Sequence, residues 1–158
     1  GMDRVCSASG ALEISSKENM INNDQYMLTI DFGTATTINV VAYEGIFIGG
    51  LIVPGLQTML KSLKTETAQL PVPDLKNFDN IIGSSTDSSI VSGVITSTVG
   101  MINEVIHQLK SRGNQIQPVI FATGGNAGYI LPHIRHKIFF DEALVLKGLK
   151  VIFELNKN

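Results

Sequence analysis

The sequence predicts an α/β fold built on a mixed sheet with flanking helices. Three strand-like runs, Tyr26–Phe32, Thr36–Tyr43 and Ile46–Ile52, follow one another through short turns, which makes them antiparallel neighbours. Beyond them, apolar runs at Gln117–Ala122 and Lys137–Phe140 alternate with stretches of helical spacing. With 158 residues, 44% hydrophobic and 16% charged, the chain can bury one good core, so a single domain over 1–158 is the default.

Each element follows from local signals. Residues 3–16 read as a helix with Val5, Ala8, Ser9 and Leu12 facing inward. Ser15–Gln25 is polar and Asn-rich, a loop. Glu44-Gly45 ties the second and third strands into a tight hairpin. Pro54-Gly55 ends the sheet run and opens a helix over Leu56–Gln69, where Leu56, Met59, Leu60 and Leu63 keep helical spacing. Leu70-Pro-Val-Pro73 must be extended, because a proline disfavours helix in the residue before it. Ser84-Ser-Thr-Asp87 reads as the start of a helix reaching Ser111, with Ile90, Val94, Val99, Ile102, Ile106 and Leu109 inward. Gly93 and Gly100 sit inside that helix at a cost in propensity, which points to close packing. Thr123-Gly-Gly125 turns the apolar strand into another helix, and Ala143–Leu155 closes the domain.

Composition narrows the function. A net charge of −2 with scattered Lys and Arg leaves no footprint for nucleic acid. No apolar stretch reads as long enough to span a bilayer, and the start shows no basic-then-apolar signal pattern, so no membrane partner is expected. Gly1-Met2 reads as a tag remnant ahead of an initiator methionine. A lone Cys6 cannot form an internal disulfide, which suits a reducing cytoplasm, and reads as a small apolar helix residue. His107, His133 and His136 have no metal-ligand spacing and read as surface or packing residues.

The chemistry concentrates in Leu28–Val41. An apolar strand ends in Asp31, turns at Gly33-Thr34, and re-enters the sheet through Ala35-Thr36-Thr37. An acid followed by Gly-Thr at a hairpin tip suits a metal-bound phosphate: the glycine admits close approach, the hydroxyl and amides donate, and the acid holds the metal or its waters. An ordinary turn between strands is the plainer reading of Asp-Phe-Gly alone.

Four motifs, in order, are Met2-Asp-Arg4, Asp31-Phe-Gly-Thr-Ala-Thr-Thr37, Gly49-Gly-Leu-Ile-Val-Pro-Gly55 and Ala122-Thr-Gly-Gly-Asn-Ala127. Together with Leu70-Pro71, Gly83-Ser-Ser-Thr86, Ser92-Gly93 and Leu146-Lys-Gly-Leu149, they resemble the type III pantothenate kinases, also described as the Bvg accessory factor-like group. The element order likewise resembles the ribonuclease H-like lobe of the actin, hexokinase and Hsp70 ATPase superfamily. The resemblance implies an ATP-dependent transferase that phosphorylates pantothenate to 4′-phosphopantothenate, in coenzyme A biosynthesis.

By that resemblance Asp3 is the general base for the pantothenate hydroxyl, and Arg4 and Thr86 are substrate contacts. For Asp3 and Thr86 a helix cap is the plainer alternative. Asp31 would hold Mg²⁺ or a monovalent cation (K⁺ or NH₄⁺). Gly33, Thr34 and Thr37 would line the phosphates, and Thr123, Gly124, Gly125 and Asn126 the adenosine, while Gly49, Gly50, Pro54 and Gly55 shape the rim.

The family has two lobes, the first opening on its own Asp-x-Gly-Asn motif; this chain matches the second, and the first has no counterpart here. Glu142 also stands where many members have proline. The expectation is a chain inactive alone, because phosphoryl transfer needs nucleotide, metal and acceptor held from both sides. A non-catalytic nucleotide- or partner-binding relative, or one half of a split kinase with a separate first-lobe polypeptide, remain alternatives. The resemblance further implies a homodimer.

Overall fold

The computed structural model describes residues 1–67, 69–112 and 114–157. Its elements run α1 (Met2–Lys17), β1 (Met27–Phe32), β2 (Ala35–Val41), β3 (Phe47–Pro54), α2 (Leu56–Glu66), α3 (Thr86–Arg112), β4 (Val119–Thr123), α4 (Ala127–Ile130), β5 (Phe139–Phe140) and α5 (Leu144–Leu155). The sheet order is β3-β2-β1-β4-β5. β1, β2 and β3 are antiparallel neighbours, whereas β4 and β5 join in parallel. This is the ribonuclease H-like mixed sheet that the order of elements implied.

Strand alternation sorts the two faces. Leu28, Ile30 and Phe32 of β1, Ile38 and Val40 of β2, and Ile120 and Ala122 of β4 point towards α2 and α3, where Leu56, Leu60, Ile95, Ile102 and Ile106 complete the larger core. On the other face Met27, Val41, Val119 and Phe121 meet Ala8 and Ala11 of α1 and Leu144 of α5. Ser85 and Ser88 start α3 with a reciprocal capping box: the Ser88 amide donates to Ser85 Oγ and the Ser85 amide to Ser88 Oγ.

Several expectations need correction. The inward stripe of α1 is Cys6, Ser7, Ala8, Gly10, Ala11 and Ser15, while Val5 is exposed and Ser9 and Leu12 are only partly covered. Small residues face inward because α5 lies so close that a Cβ on Gly148 would collide with the Cys6 carbonyl oxygen, 2.8 Å from the Gly10 amide nitrogen. Gly93 and Gly100 are not packing glycines; a Cβ at either meets nothing within 4 Å. The helix after Gly125 is only the four residues of α4, because Leu131-Pro132-His133 tightens into a 3₁₀ turn. β3 is an edge strand whose Ile48 and Ile52 are exposed. Finally, α3 is long and apolar enough to cross a membrane by length and composition, contrary to the sequence reading. Nine of its residues, from Ile90 to Leu109, are buried inside the fold.

One polar group sits poorly in the larger core. Thr36, between Phe32 and Val53 in register, has a buried hydroxyl with no hydrogen-bond partner among the described residues. Replacing it by the isosteric valine removes that desolvation cost. Thr36→Val should raise stability by about 1 kcal/mol, read as a Tm increase of roughly 2–4 °C in thermal unfolding. An unchanged or lower Tm would mean the hydroxyl is satisfied.

Candidate functional site

The sequence places its acid at the last turn-facing position of a buried strand, and the sheet register builds the rest around it. Asp31 pairs across the sheet with Thr37 on β2 and in parallel register with Thr123 on β4. Side chains at paired positions share a face, so Thr37, Asp31 and Thr123 form a polar row on the α1 side. The next row is Asn39, Thr29 and Phe121, where apolar packing begins on the β4 side, and beyond it that face is apolar at Met27, Val41 and Val119. The row lies at the carboxyl ends of the parallel strands β1 and β4, where α/β sheets bind ligands.

Two loops close on this end. At the hairpin tip the Thr34 carbonyl accepts from the Gly55 amide at 2.8 Å and from Thr58 Oγ1 at 2.7 Å, which ties β1–β2 to the start of α2. A Cβ on Gly55 would lie 2.6 Å from that carbonyl oxygen, so glycine is required there. The Thr34 side chain itself is exposed. After β4, Gly124 adopts φ +98 and passes so close that a Cβ would sit 2.6 Å from Asp31 Oδ1. The Asn126 amide donates to the Phe32 carbonyl at 3.1 Å, and its side-chain nitrogen reaches the Gly33 carbonyl at 3.4 Å. Thr123 Oγ1 donates to the Glu142 carbonyl at 3.4 Å. Gly124, Gly125, Gly128, Phe140 and Glu142 line an open cleft of about 560 Å³. Gly33 makes only ordinary contacts at its Cβ position, so the close approach to Asp31 comes from Gly124.

α1 brings the other charges. Asp3 lies in its first turn with its side chain 63% exposed, and it makes no cap hydrogen bond; the cap position is Gly1. Arg4, half-buried, donates from Nε to Asn39 Oδ1 at 2.5 Å and lies 5.5 Å from the Phe47 ring centroid. Burial raises the Asp31 carboxyl above its ordinary value of 3.8, and the nearby Asp3 carboxylate raises it further. Among the described residues no three His, Cys, Asp or Glu side chains gather as a metal cage. Two neighbouring carboxylates flanked by hydroxyls nonetheless fit a hard cation that takes most of its oxygens from water or a phosphate. Asp31 would hold it, with the Asp3 carboxylate nearby.

The structure therefore brings Asp3, Arg4, Asp31, Gly33, Thr34, Thr37, Thr123, Gly124, Gly125 and Asn126 to one end of the sheet. Thr86 stands apart. It is the first residue of α3, exposed, and lines a groove of about 750 Å³ with Met59, Leu63, Leu70 and Ile90 on the opposite side of the sheet. The cap role considered for Thr86 belongs to Ser85. Asn39 and Thr29 did not emerge from the motifs. Their signal is the alternation itself, which puts Asn39 on the same face as Thr37 and Asp31.

Comparison with known proteins gives the family and the fold. The family model described as type III pantothenate kinase matches residues 1–108. Among curated relatives, "Type III pantothenate kinase" of Fervidobacterium nodosum is 37% identical over 158 residues, all of this chain and 58% of the relative. That of Methylacidiphilum infernorum is 35% identical over 129 residues, 81% of this chain and 48% of the relative. The chain thus spans about half to three-fifths of the length of these relatives. Among solved structures, a "conserved putative Baf family transcriptional activator from Campylobacter jejuni" superposes with a TM-score of 0.65 at 18% identity, over 99% of this chain and 64% of that one. A ParM filament protein from Clostridium botulinum superposes at 0.54 and 10% identity, over 94% of this chain and 51% of that one. Both likenesses speak to the fold alone.

Proposed function

We propose, from the premise that this chain belongs to the type III pantothenate kinase family, that it forms the second lobe of a kinase acting in the cytoplasm. That enzyme moves the γ-phosphoryl group of ATP to the hydroxyl of pantothenate, giving ADP and 4′-phosphopantothenate. The observation that carries this reading is the Thr37–Asp31–Thr123 row with Asp3 and Arg4 at its edge, at the carboxyl ends of β1 and β4.

The roles follow from position. Asp3, exposed on the first turn of α1, takes the proton of the acceptor hydroxyl as the oxygen–phosphorus bond forms and the bond to the ADP oxygen breaks. Arg4 orients the acceptor. The Thr34 amide and the Thr34 and Thr37 hydroxyls donate to phosphate oxygens, while the Gly33 amide donates to the Ala35 carbonyl within the hairpin. The glycine turn 124–125 borders the cleft of about 560 Å³ for the nucleoside, with Asn126 pinned to the hairpin. Asp31 would hold Mg²⁺ or a monovalent cation (K⁺ or NH₄⁺), which when bound would neutralise charge on the phosphates. None of these groups encloses the acceptor from the far side, so one lobe alone positions its substrates poorly. Two copies pairing through the open groove between α2 and α3, beside exposed Ile81 and Ile82, complete the proposed assembly.

A pyruvate kinase–lactate dehydrogenase coupled assay for ADP tests the reading. The chain alone should give no pantothenate-dependent ADP, and adding a recombinant first lobe from a relative should restore turnover, abolished by Asp3→Asn. Turnover by the chain alone would overturn the one-lobe reading. A mixture that binds ATP without turnover would assign a non-catalytic role.

A further inference from the structure

We infer that Asn39 is a positioning residue for Arg4: its buried, neutral amide fixes the guanidinium while leaving the whole positive charge free for an anionic group of the acceptor. This deepens the proposed kinase reading and rests on it only for the identity of the anion.

The register sets the geometry. Thr29, Asn39 and Gly50 occupy paired positions across β1, β2 and β3, and Arg4 reaches this row from the first turn of α1. Asn39 is fully buried, so both ends of its amide must be satisfied. Its Oδ1 accepts from Arg4 Nε at 2.5 Å, and its Nδ2 donates to Thr29 Oγ1 at 3.0 Å. That orientation is forced, because Nε can only donate. Gly50 is required by the Ile38 carbonyl, which a Cβ there would strike, and the same Cβ would lie 2.9 Å from Arg4 Nη2. Phe47 faces the guanidinium at 5.5 Å.

What the cation lacks is equally informative. Among the described residues no carboxylate comes within ion-pair distance of Arg4, and neither of its Nη groups donates to protein. A half-buried cation held by a neutral amide keeps its full charge and two donor groups in a fixed fork, suited to a carboxylate. An aspartate at 39 would be the same shape, could still accept from Nε and accept a hydrogen bond from the Thr29 hydroxyl, and would neutralise Arg4. The choice of Asn over Asp therefore separates a positioning role for the charge from a merely structural one.

The test uses the ¹⁵N-labelled chain and its arginine Nε–H signals, with exposed Arg112 and Arg135 as internal comparison. The Arg4 Nε–H should exchange at least tenfold more slowly than theirs, and it should shift on titration with propionate or pantothenate. Asn39→Asp should keep the Tm and the slow exchange, yet bind pantothenate at least tenfold more weakly, with affinity for the neutral alcohol analogue unchanged. Asn39→Ala should lose the slow exchange. The inference is overturned if wild-type Arg4 exchanges as fast as the exposed arginines, if neither anion moves its signal, or if Asn39→Asp binds pantothenate as the wild type does. If pantothenate binds no better than propionate, while propionate still shifts Arg4 in the wild type and not in Asn39→Asp, the kinase reading fails and the positioning role stands.

Discussion

Gly148→Ala is expected to destabilise the protein by about 3 kcal/mol, at the upper end of ordinary overpacking costs. For a chain of this size that is a Tm decrease of roughly 6–12 °C. A single methyl does this because α1 and α5 meet backbone to backbone. The added Cβ would collide with the Cys6 carbonyl oxygen and stand 2.8 Å from the Gly10 nitrogen. Neither neighbour is the flexible end of a side chain, so relief requires one helix to move. The control is the same substitution in a different place. Gly100 is exposed within α3 and its Cβ position is open, so Gly100→Ala should stabilise by up to about 1 kcal/mol through helix propensity alone. Thermal unfolding of the two variants checks both signs at once. Equal effects would mean that α1 and α5 are not in backbone contact.

That pair of glycines shows where sequence reasoning fails and why. Helical spacing of large apolar residues located α2 and α3 well, because those helices bury Leu and Ile side chains against the sheet. The same rule applied to α1 chose Val5, which is exposed. The interface of α1 is made of Cys6, Ser7, Gly10 and Ala11, residues whose merit is smallness, and smallness carries information only relative to a partner helix. Gly93 and Gly100 looked like packing glycines in isolation, whereas Gly148 entered only through the Leu146-Lys-Gly-Leu149 motif and Gly10 not at all. Only the tertiary placement of α5 distinguishes them.

The placement of the candidate site was more legible than the packing. Its motifs are local: an acid at a strand end, a Gly-Thr tip, a Gly-Gly turn after a buried strand. Chain order and the parallel pairing of β1 with β4 then suffice to bring Asp31 and Thr123 together. Thr86 lies elsewhere because α3 packs on the opposite side of the sheet from α1, a fact no local motif contains. The Asn39–Arg4 contact spans 35 positions and needs the β1–β2–β3 register, although strand parity marks Asn39 as a face-mate of Asp31.

Asp31→Asn should separate stability from function in opposite directions. The Asp31 carboxyl is raised above 3.8 first by burial and then by the Asp3 carboxylate, so the folded state holds its proton more tightly than the unfolded chain does. Below 3.8 the side chain is protonated in both states and burial exacts no charge penalty. As pH rises through the folded-state value the carboxylate ionises in place, and the protein loses that stability. Asparagine never ionises. In a chelator-containing buffer, which leaves the two carboxylates uncompensated, the variant should therefore have the higher Tm at pH 7. The difference should shrink as pH falls and vanish below 3.8. Magnesium-dependent nucleotide binding, measured by calorimetry, should weaken at least tenfold, about 1.4 kcal/mol, because the amide cannot replace a charged oxygen at a hard cation. A Tm gain that persists at low pH would assign the effect to packing. Unchanged nucleotide affinity would remove Asp31 from the phosphate site. The combination expected here, more stable and less able to bind, is what a charge kept in place for its ligand produces.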